Sequence, residues 1–165
     1  MNNGPGLRVT LFVSGCDHYC NGCQNPETWD TKSGIPFDNT AIEEIFKQLD
    51  NDYISGITFS GGDPLNENNR VEVCSLISKI KSRYGNSKSI WIYTGYTWNE
   101  IIEEAFPILT DILLNTNVIV DGMFQKDLAD VNYHWAGSTN QRVIDVQRSL
   151  EEKKIVLYKD GINND

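Results

Sequence analysis

Long apolar runs, basic residues, histidine and paired cysteines are what this sequence has little of. No run of about 18 apolar residues exists, so no membrane-crossing helix is expected. Lysine and arginine number 14 against 23 aspartates and glutamates, a net charge of −9. Nucleic acids and anionic membranes select the opposite balance. An acidic ligand therefore needs a local positive or backbone-amide site. The start, Met1 to Gly6, lacks the basic and apolar regions of a signal peptide, so a cytoplasmic chain with reduced thiols is expected. There is no internal repeat, low-complexity tract or linker. The 165 residues, 39% hydrophobic and 22% charged, fit one domain spanning 1–165 with a core of its own.

Of the 4 cysteines, three stand at 16, 20 and 23. A disulfide framework spreads its cysteines along a small secreted chain, so this clustering points to metal or redox chemistry. Cys74 stands apart, beside apolar residues at helical spacing, and is expected to be a small core residue.

Short β-branched and aromatic runs alternate with helical patterns, which predicts an α/β fold with a parallel sheet. Strands are expected at 8–13, 56–59, 89–93 and 117–120. Ile42, Ile45, Phe46 and Leu49 form one apolar helical stripe, with Thr40 and Glu43 as its capping box. Val73, Leu76, Ile77, Ile80 and Tyr84 mark a second helix. Thr97 and Glu100 form another capping box, on a helix that Pro107 disturbs. Residues 108–116 read equally as helix or strand. Segments 142–146 and 154–158 suggest an antiparallel pair.

The cysteine loop, Ser60-Gly61-Gly62-Asp63-Pro64, Thr94-Gly95 and Asp121-Gly122 each follow the end of an expected strand. Ligands of open α/β sheets bind at that edge. The loop itself, Cys16-Asp-His-Tyr-Cys20-Asn-Gly-Cys23, is C-x3-C-x2-C. Three thiolates on one short loop can hold three corners of an iron–sulfur cubane, leaving its fourth iron open to another ligand. An open position is the mark of a catalytic metal centre. A zinc site of Cys16, His18, Cys20 and Cys23 satisfies the same residues, although structural zinc sites usually join two separated knuckles. A closed cluster using Cys74 is the other alternative.

This loop, followed one strand later by Gly-Gly-Asp-Pro, resembles the radical S-adenosylmethionine superfamily. Asn3-Gly-Pro-Gly-Leu-Arg8 and Cys23-Gln-Asn-Pro-Glu-Thr-Trp-Asp30 are similar to the activating enzymes of glycyl-radical enzymes. Gly22, Asp63, Tyr93-Thr-Gly-Tyr96 and Gly137-Ser-Thr-Asn-Gln-Arg142 resemble the branch that activates anaerobic ribonucleoside-triphosphate reductase.

The resemblance implies a shortened, open (βα) partial barrel. It implies a 4Fe-4S cluster on Cys16, Cys20 and Cys23, with the open iron chelated by S-adenosylmethionine. Reductive cleavage of that cofactor would then abstract a hydrogen atom from a glycine of the reductase, with a low-potential donor such as flavodoxin supplying the electron. Cofactor contacts are expected from Gly22 and Gln24 at the adenine, from Gly61, Gly62 and Asp63 at the amino group, and from Thr94 and Asp121 at the ribose or methionine. Arg8, Trp29, Tyr96 and Arg142 are candidates for holding the partner, whose glycine loop is expected near Gly61–Asp63 and Tyr96. His134 has no motif around it and is expected to be structural.

Overall fold

The computed structural model describes residues 3–159. Five strands form one sheet in the order β1 (Leu7–Val13), β2 (Ile54–Gly61), β3 (Ser89–Tyr93), β4 (Val118–Asp121) and β5 (Arg142–Asp145). The first four are parallel and β5 runs antiparallel to β4. Between them lie α1 (Asn39–Leu49), α2 (Arg70–Tyr84), α3 (Trp98–Glu104) and α4 (Pro107–Asn115), with α5 (Val146–Glu152) after the last strand. Among the described residues no helix is long and apolar enough to cross a membrane.

Alternation along each strand sorts the two faces. Ile57, Phe59, Ile90, Ile92, Ile119 and Ile144 pack with the helices in the main core, where Leu49, Ile77, Ile80 and Ile112 are fully buried. Truncating such a residue to alanine costs about 2–5 kcal/mol. The intervening residues Trp91, Val118 and Val120 join Ala136, Trp135 and Tyr158 in a smaller cluster.

Local chemistry explains where the elements begin. Helix α1 is capped by the side chain of Asp38, which accepts from Ala41 N at 3.0 Å. Thr40 lies inside the first turn, so the capping box expected at Thr40 and Glu43 is displaced by an aspartate two residues earlier. The box at Thr97 and Glu100 is present on both sides. Left-handed Ala105 ends α3, and Pro107 occupies the first turn of α4, where its missing N–H is harmless. Residues 107–115 are thereby helix rather than strand.

Residues 154–158 make only a single bridge to β5, Ile144 to Leu157, with Tyr158 N donating to Val143 O. Asp145 caps α5 directly after β5, so Val146 enters a helix instead of extending the strand.

The register places Val13 opposite Gly61 and Tyr93 opposite Val120. The loops that follow β1 to β4 therefore gather at one edge, and that edge carries the cysteine loop, the Gly-Gly-Asp-Pro turn, Thr94-Gly95 and Asp121-Gly122.

Candidate metal centre

The cysteine loop is sewn to its neighbours by main-chain bonds. Gly15 N donates to Thr28 O at 2.7 Å and Cys16 N to Trp29 O at 3.1 Å. The Gly-Gly-Asp turn bonds to the same stretch: Gly62 N reaches Val13 O at 2.7 Å, and Asp63 N reaches Gly15 O at 2.8 Å. Such proximity leaves no room for side chains. A Cβ on Gly61 (φ +97°) would stand 2.7 Å from Val13 N, and one on Gly62 would stand 2.6 Å from Gly15 O. The two glycines are thus demanded by the approach of two loops, not merely by a turn.

All three loop cysteines line one concavity together with Ser60, Gly61, Gly62, Asp63, Thr94 and Gly95. The space measures about 720 Å³, including solvent at its mouth. Cys23 accepts the main-chain N–H of Asn25 at 3.4 Å, and main-chain N–H groups near Cys16 and Cys20 act to lower their thiol pKa values. Amides directed at sulfur suit thiolate ligands, whose charge they stabilise. Burial works the other way, pushing the Cys16 thiol up to about 11 and raising that of Cys20. Unmetallated, the Cys16 and Cys20 thiols hold their protons, which a bound metal would displace. The donor set therefore fits an iron–sulfur cluster.

Asp63 is a hub of hydrogen bonds. It is 1% exposed. Its Oδ1 accepts from Leu65 N at 2.8 Å and Thr94 Oγ1 at 2.9 Å, while Oδ2 accepts from Gly95 N at 2.9 Å. His18 Nε2 lies 2.7 Å from the same Oδ2, and this bond raises the imidazole pKa against the lowering effect of burial. Cys16, His18 and Asp63 bring ligand atoms within 4.8 Å of one another, a group that does not include Cys20 or Cys23. His18 thus turns toward Asp63, and the expected alternative of a zinc ion shared by His18 and all three cysteines is not the arrangement found.

Gln24, Gly61, Gly62, Asp63 and Thr94 line the cavity with the three cysteines, as does Trp29. Gly22 is not part of the lining; its left-handed backbone packs under the Lys126 side chain. Asp121 is also displaced from its expected place. Its carboxylate is buried at 1% exposure and bonds to Trp98 N and the Arg142 guanidinium, so it braces the wall from behind. Arg142 is bound to Asp121 in that pair and stays 36% exposed. Arg8 lies at the opposite, amino-terminal end of the sheet, hydrogen-bonded to Thr58 Oγ1, Ile57 O and Ser89 O and stacked over Trp91. Tyr96 packs its ring edge-on to His18 at 4.6 Å. His134 stacks at a tilt on Trp135. Cys74 is half-buried against the main core and does not line the cavity.

Sequence reasoning misses Phe124 and Gln141, and both belong to the segment between β4 and β5. Gln141 closes that segment on itself, donating from Nε2 to Gly122 O and accepting from Gly137 N, each at 2.9 Å. Nothing in the spacing of Gly122-Met-Phe124 signals that Phe124 lines the cysteine cavity.

A family model described as a 4Fe-4S single cluster domain matches residues 2–144. Fold and family model thus define an α/β protein of the 4Fe-4S single cluster domain class. The relatives narrow this further. The chain is 41% identical over 141 residues to the anaerobic ribonucleoside-triphosphate reductase-activating protein of Enterobacteria phage T4, covering 86% of this chain and 85% of that one. It is 42% identical over 143 residues to the protein of the same name from Escherichia coli (strain K12), covering 86% and 90%. The Pasteurella multocida (strain Pm70) protein of that name is 39% identical over 141 residues, covering 84% and 87%. The chain belongs to the family of anaerobic ribonucleoside-triphosphate reductase-activating proteins. No solved structure matches it.

Proposed function

We propose that this protein activates an anaerobic ribonucleoside-triphosphate reductase by placing a glycyl radical on it. The observation that carries the reading is that the three loop thiols and the Gly61-Gly62-Asp63 turn line one and the same cavity. The names of its relatives support the choice of partner. Bound in this cavity, a 4Fe-4S cluster and S-adenosylmethionine supply one-electron cleavage of a carbon–sulfur bond and, through it, removal of a hydrogen atom from a glycine of the reductase.

The chain's own residues divide the remaining work. Cys16, Cys20 and Cys23 hold the cluster. Gly61 and Gly62 bring main chain close to the space beside it, which leaves amides and carbonyls for the amino-acid end of S-adenosylmethionine. Gln24 and Thr94 line the same space, and Gly22 shapes the loop through its backbone. Asp63 acts chiefly as an organiser, because hydrogen bonds within the protein already occupy both its oxygens.

The single domain is read as a shortened, open (βα) partial barrel, and a parallel sheet with edges at β1 and β5 supports this. An open barrel leaves a radical exposed to solvent, so the partner's glycine loop is assigned to close the cavity mouth. A low-potential donor such as flavodoxin supplies the electron.

The test is anaerobic reconstitution followed by mixing with the reductase, S-adenosylmethionine and a reductant, with the glycyl radical counted by electron paramagnetic resonance. A radical that requires all components supports the reading. A protein that takes up iron and sulfide yet yields no radical on the reductase rejects it.

A further inference from the structure

The segment between the Gly-Gly-Asp turn and α2 supplies two asparagine side chains to the cysteine loop. Asparagine is a favoured helix cap, and Asn69 stands at the N-cap of α2, yet its side chain makes no capping bond. Instead Asn69 Nδ2 donates to Ser14 O at 3.0 Å and to Asp63 O at 2.9 Å. An amide nitrogen carries two hydrogens, so one side chain spans two loops, the one leading into Cys16 and the Gly-Gly-Asp turn. Asn66 reaches the residue after the same cysteine. It is 2% exposed; its Oδ1 accepts from Asn68 N at 3.1 Å, and its Nδ2 donates to Asp17 Oδ2 at 2.8 Å. The two amides therefore grip Ser14 and Asp17, and Cys16 lies between them. They lengthen a main-chain seam in which Gly62 N meets Val13 O and Asp63 N meets Gly15 O. Cys16 and the turn line one cavity, so this seam governs how far apart they stand.

We propose that Asn66 and Asn69 are positioning residues: by tethering both flanks of Cys16 to the segment that carries the Gly-Gly-Asp turn, they set the spacing between a cluster-ligating cysteine and the backbone that meets S-adenosylmethionine. The inference rests on the cluster and cofactor reading above. Neither asparagine lines the cavity, so each acts through the loop that it holds. Spacing matters because a misplacement of about 1 Å between reacting groups can cost about 10²-fold in rate. The residue type matters as well. An ionised aspartate has the shape of asparagine but only accepts hydrogen bonds. At position 69 it would face the two carbonyl oxygens that the amide now bridges, so Asn69→Asp cuts the tether without emptying its place.

Four proteins test this: the wild type, Asn69→Asp, Asn66→Ala and Val73→Ala. Val73 is buried in the main core, so its truncation weakens the fold without touching the seam. Asn69 is only half-buried, which keeps the test in force should the variant at buried Asn66 not fold. Hydrogen exchange at residues 13–17 and 61–63 is first measured without metal, against exchange in β3. Each protein is then reconstituted anaerobically and titrated with S-adenosylmethionine. The electron paramagnetic resonance of the reduced cluster, scaled to cluster content, follows the titration. Both asparagine variants should exchange about tenfold faster along the seam and need about tenfold more S-adenosylmethionine, as the loss of one or two such bonds allows. Val73→Ala should melt at lower temperature yet match the wild type in the titration. The proposal is overturned if both asparagine variants match the wild type in seam exchange or in the titration. It is also overturned if Val73→Ala weakens the titration as much as they do, which would make the effect one of general stability. A wild type that takes up no cluster, or whose cluster signal ignores S-adenosylmethionine, would instead reject the reading on which the inference rests.

Discussion

Arg142, at the start of β5, closes an ion pair on Asp121, at the end of β4, and the pair sits behind the cavity wall rather than in it. Asp121 is 1% exposed while Arg142 is 36% exposed, so the carboxylate is the partner that depends on the pair. Arg142→Ala should lower unfolding stability by about 2 kcal/mol, below the usual range for a fully buried pair because water reaches the guanidinium. Urea denaturation followed by circular dichroism measures it. Adding Asp121→Asn to that variant should recover part of the loss, since a neutral amide tolerates burial better.

The three loop cysteines predict a clean division among the four thiols. Alanine at Cys16, Cys20 or Cys23 should abolish retention of iron and sulfide after anaerobic reconstitution. Cys74→Ala should keep the full complement, because that thiol packs on the main core and is absent from the cavity. Loss of the cluster from Cys74→Ala alone would overturn the three-ligand assignment.

Gly62→Ala tests whether the close approach of two loops matters. Its methyl would stand 2.6 Å from Gly15 O, a backbone atom that cannot swing aside. Forcing the loops apart should cost about 1–3 kcal/mol and reduce iron retention at least several-fold. Gly34→Ala is the control: unlike Gly62 it has a positive φ, +85°, but nothing lies within 4 Å of the added carbon. Some strain is expected there, with iron retention intact.

Much of this is legible in the residues, and the boundary of legibility has a physical cause. Strand ends and the cysteine loop can be read because alternation and glycine punctuation are local signals, and β1 to β4 fall where the apolar runs place them. What a side chain does after reaching the site depends on neighbours brought from elsewhere. Asp121 and Asp63 look alike as acids at strand ends, yet one is neutralised by an arginine from β5 and the other holds an imidazole. Arg8 resembles a partner-facing charge because its hydrogen bonds go to carbonyls and hydroxyls of β2 and β3, which carry no sequence signature. Phe124 lines the cavity only because the segment between β4 and β5 folds back over it, and no local pattern announces that.

The capping box of α3 gives a prediction in pH. Glu100 accepts from Thr97 N at 2.7 Å, and that bond, followed by the one from the Thr97 hydroxyl, holds its carboxyl below the ordinary glutamate range. A depressed carboxyl contributes stability that is complete above the ordinary value of about 4.3 and is lost as pH falls through the lowered one. Glu100→Gln preserves the cap geometry but cannot titrate. The stability difference between the two proteins should therefore be level above about pH 5 and change only below it, by no more than about 0.5 kcal/mol at so exposed a site. Urea midpoints at pH 3, 4, 5 and 7 would show a flat difference if the cap carboxylate contributes nothing.

The lining of the cysteine cavity comes from widely separated parts of the chain. Cys16 to Asn25 are made early, but Phe124, Gly137 and Gln141 lie beyond β4. During synthesis, the cysteines leave the ribosome long before the residues that complete their surroundings. A nascent chain halted before β4 carries every thiol and only part of that lining, so the finished pocket exists only once most of the polypeptide has been made and folded. Iron delivered earlier would meet loose thiols open to oxidants. On the cluster reading, the order of manufacture favours insertion only after a segment far from the cysteines in sequence has folded.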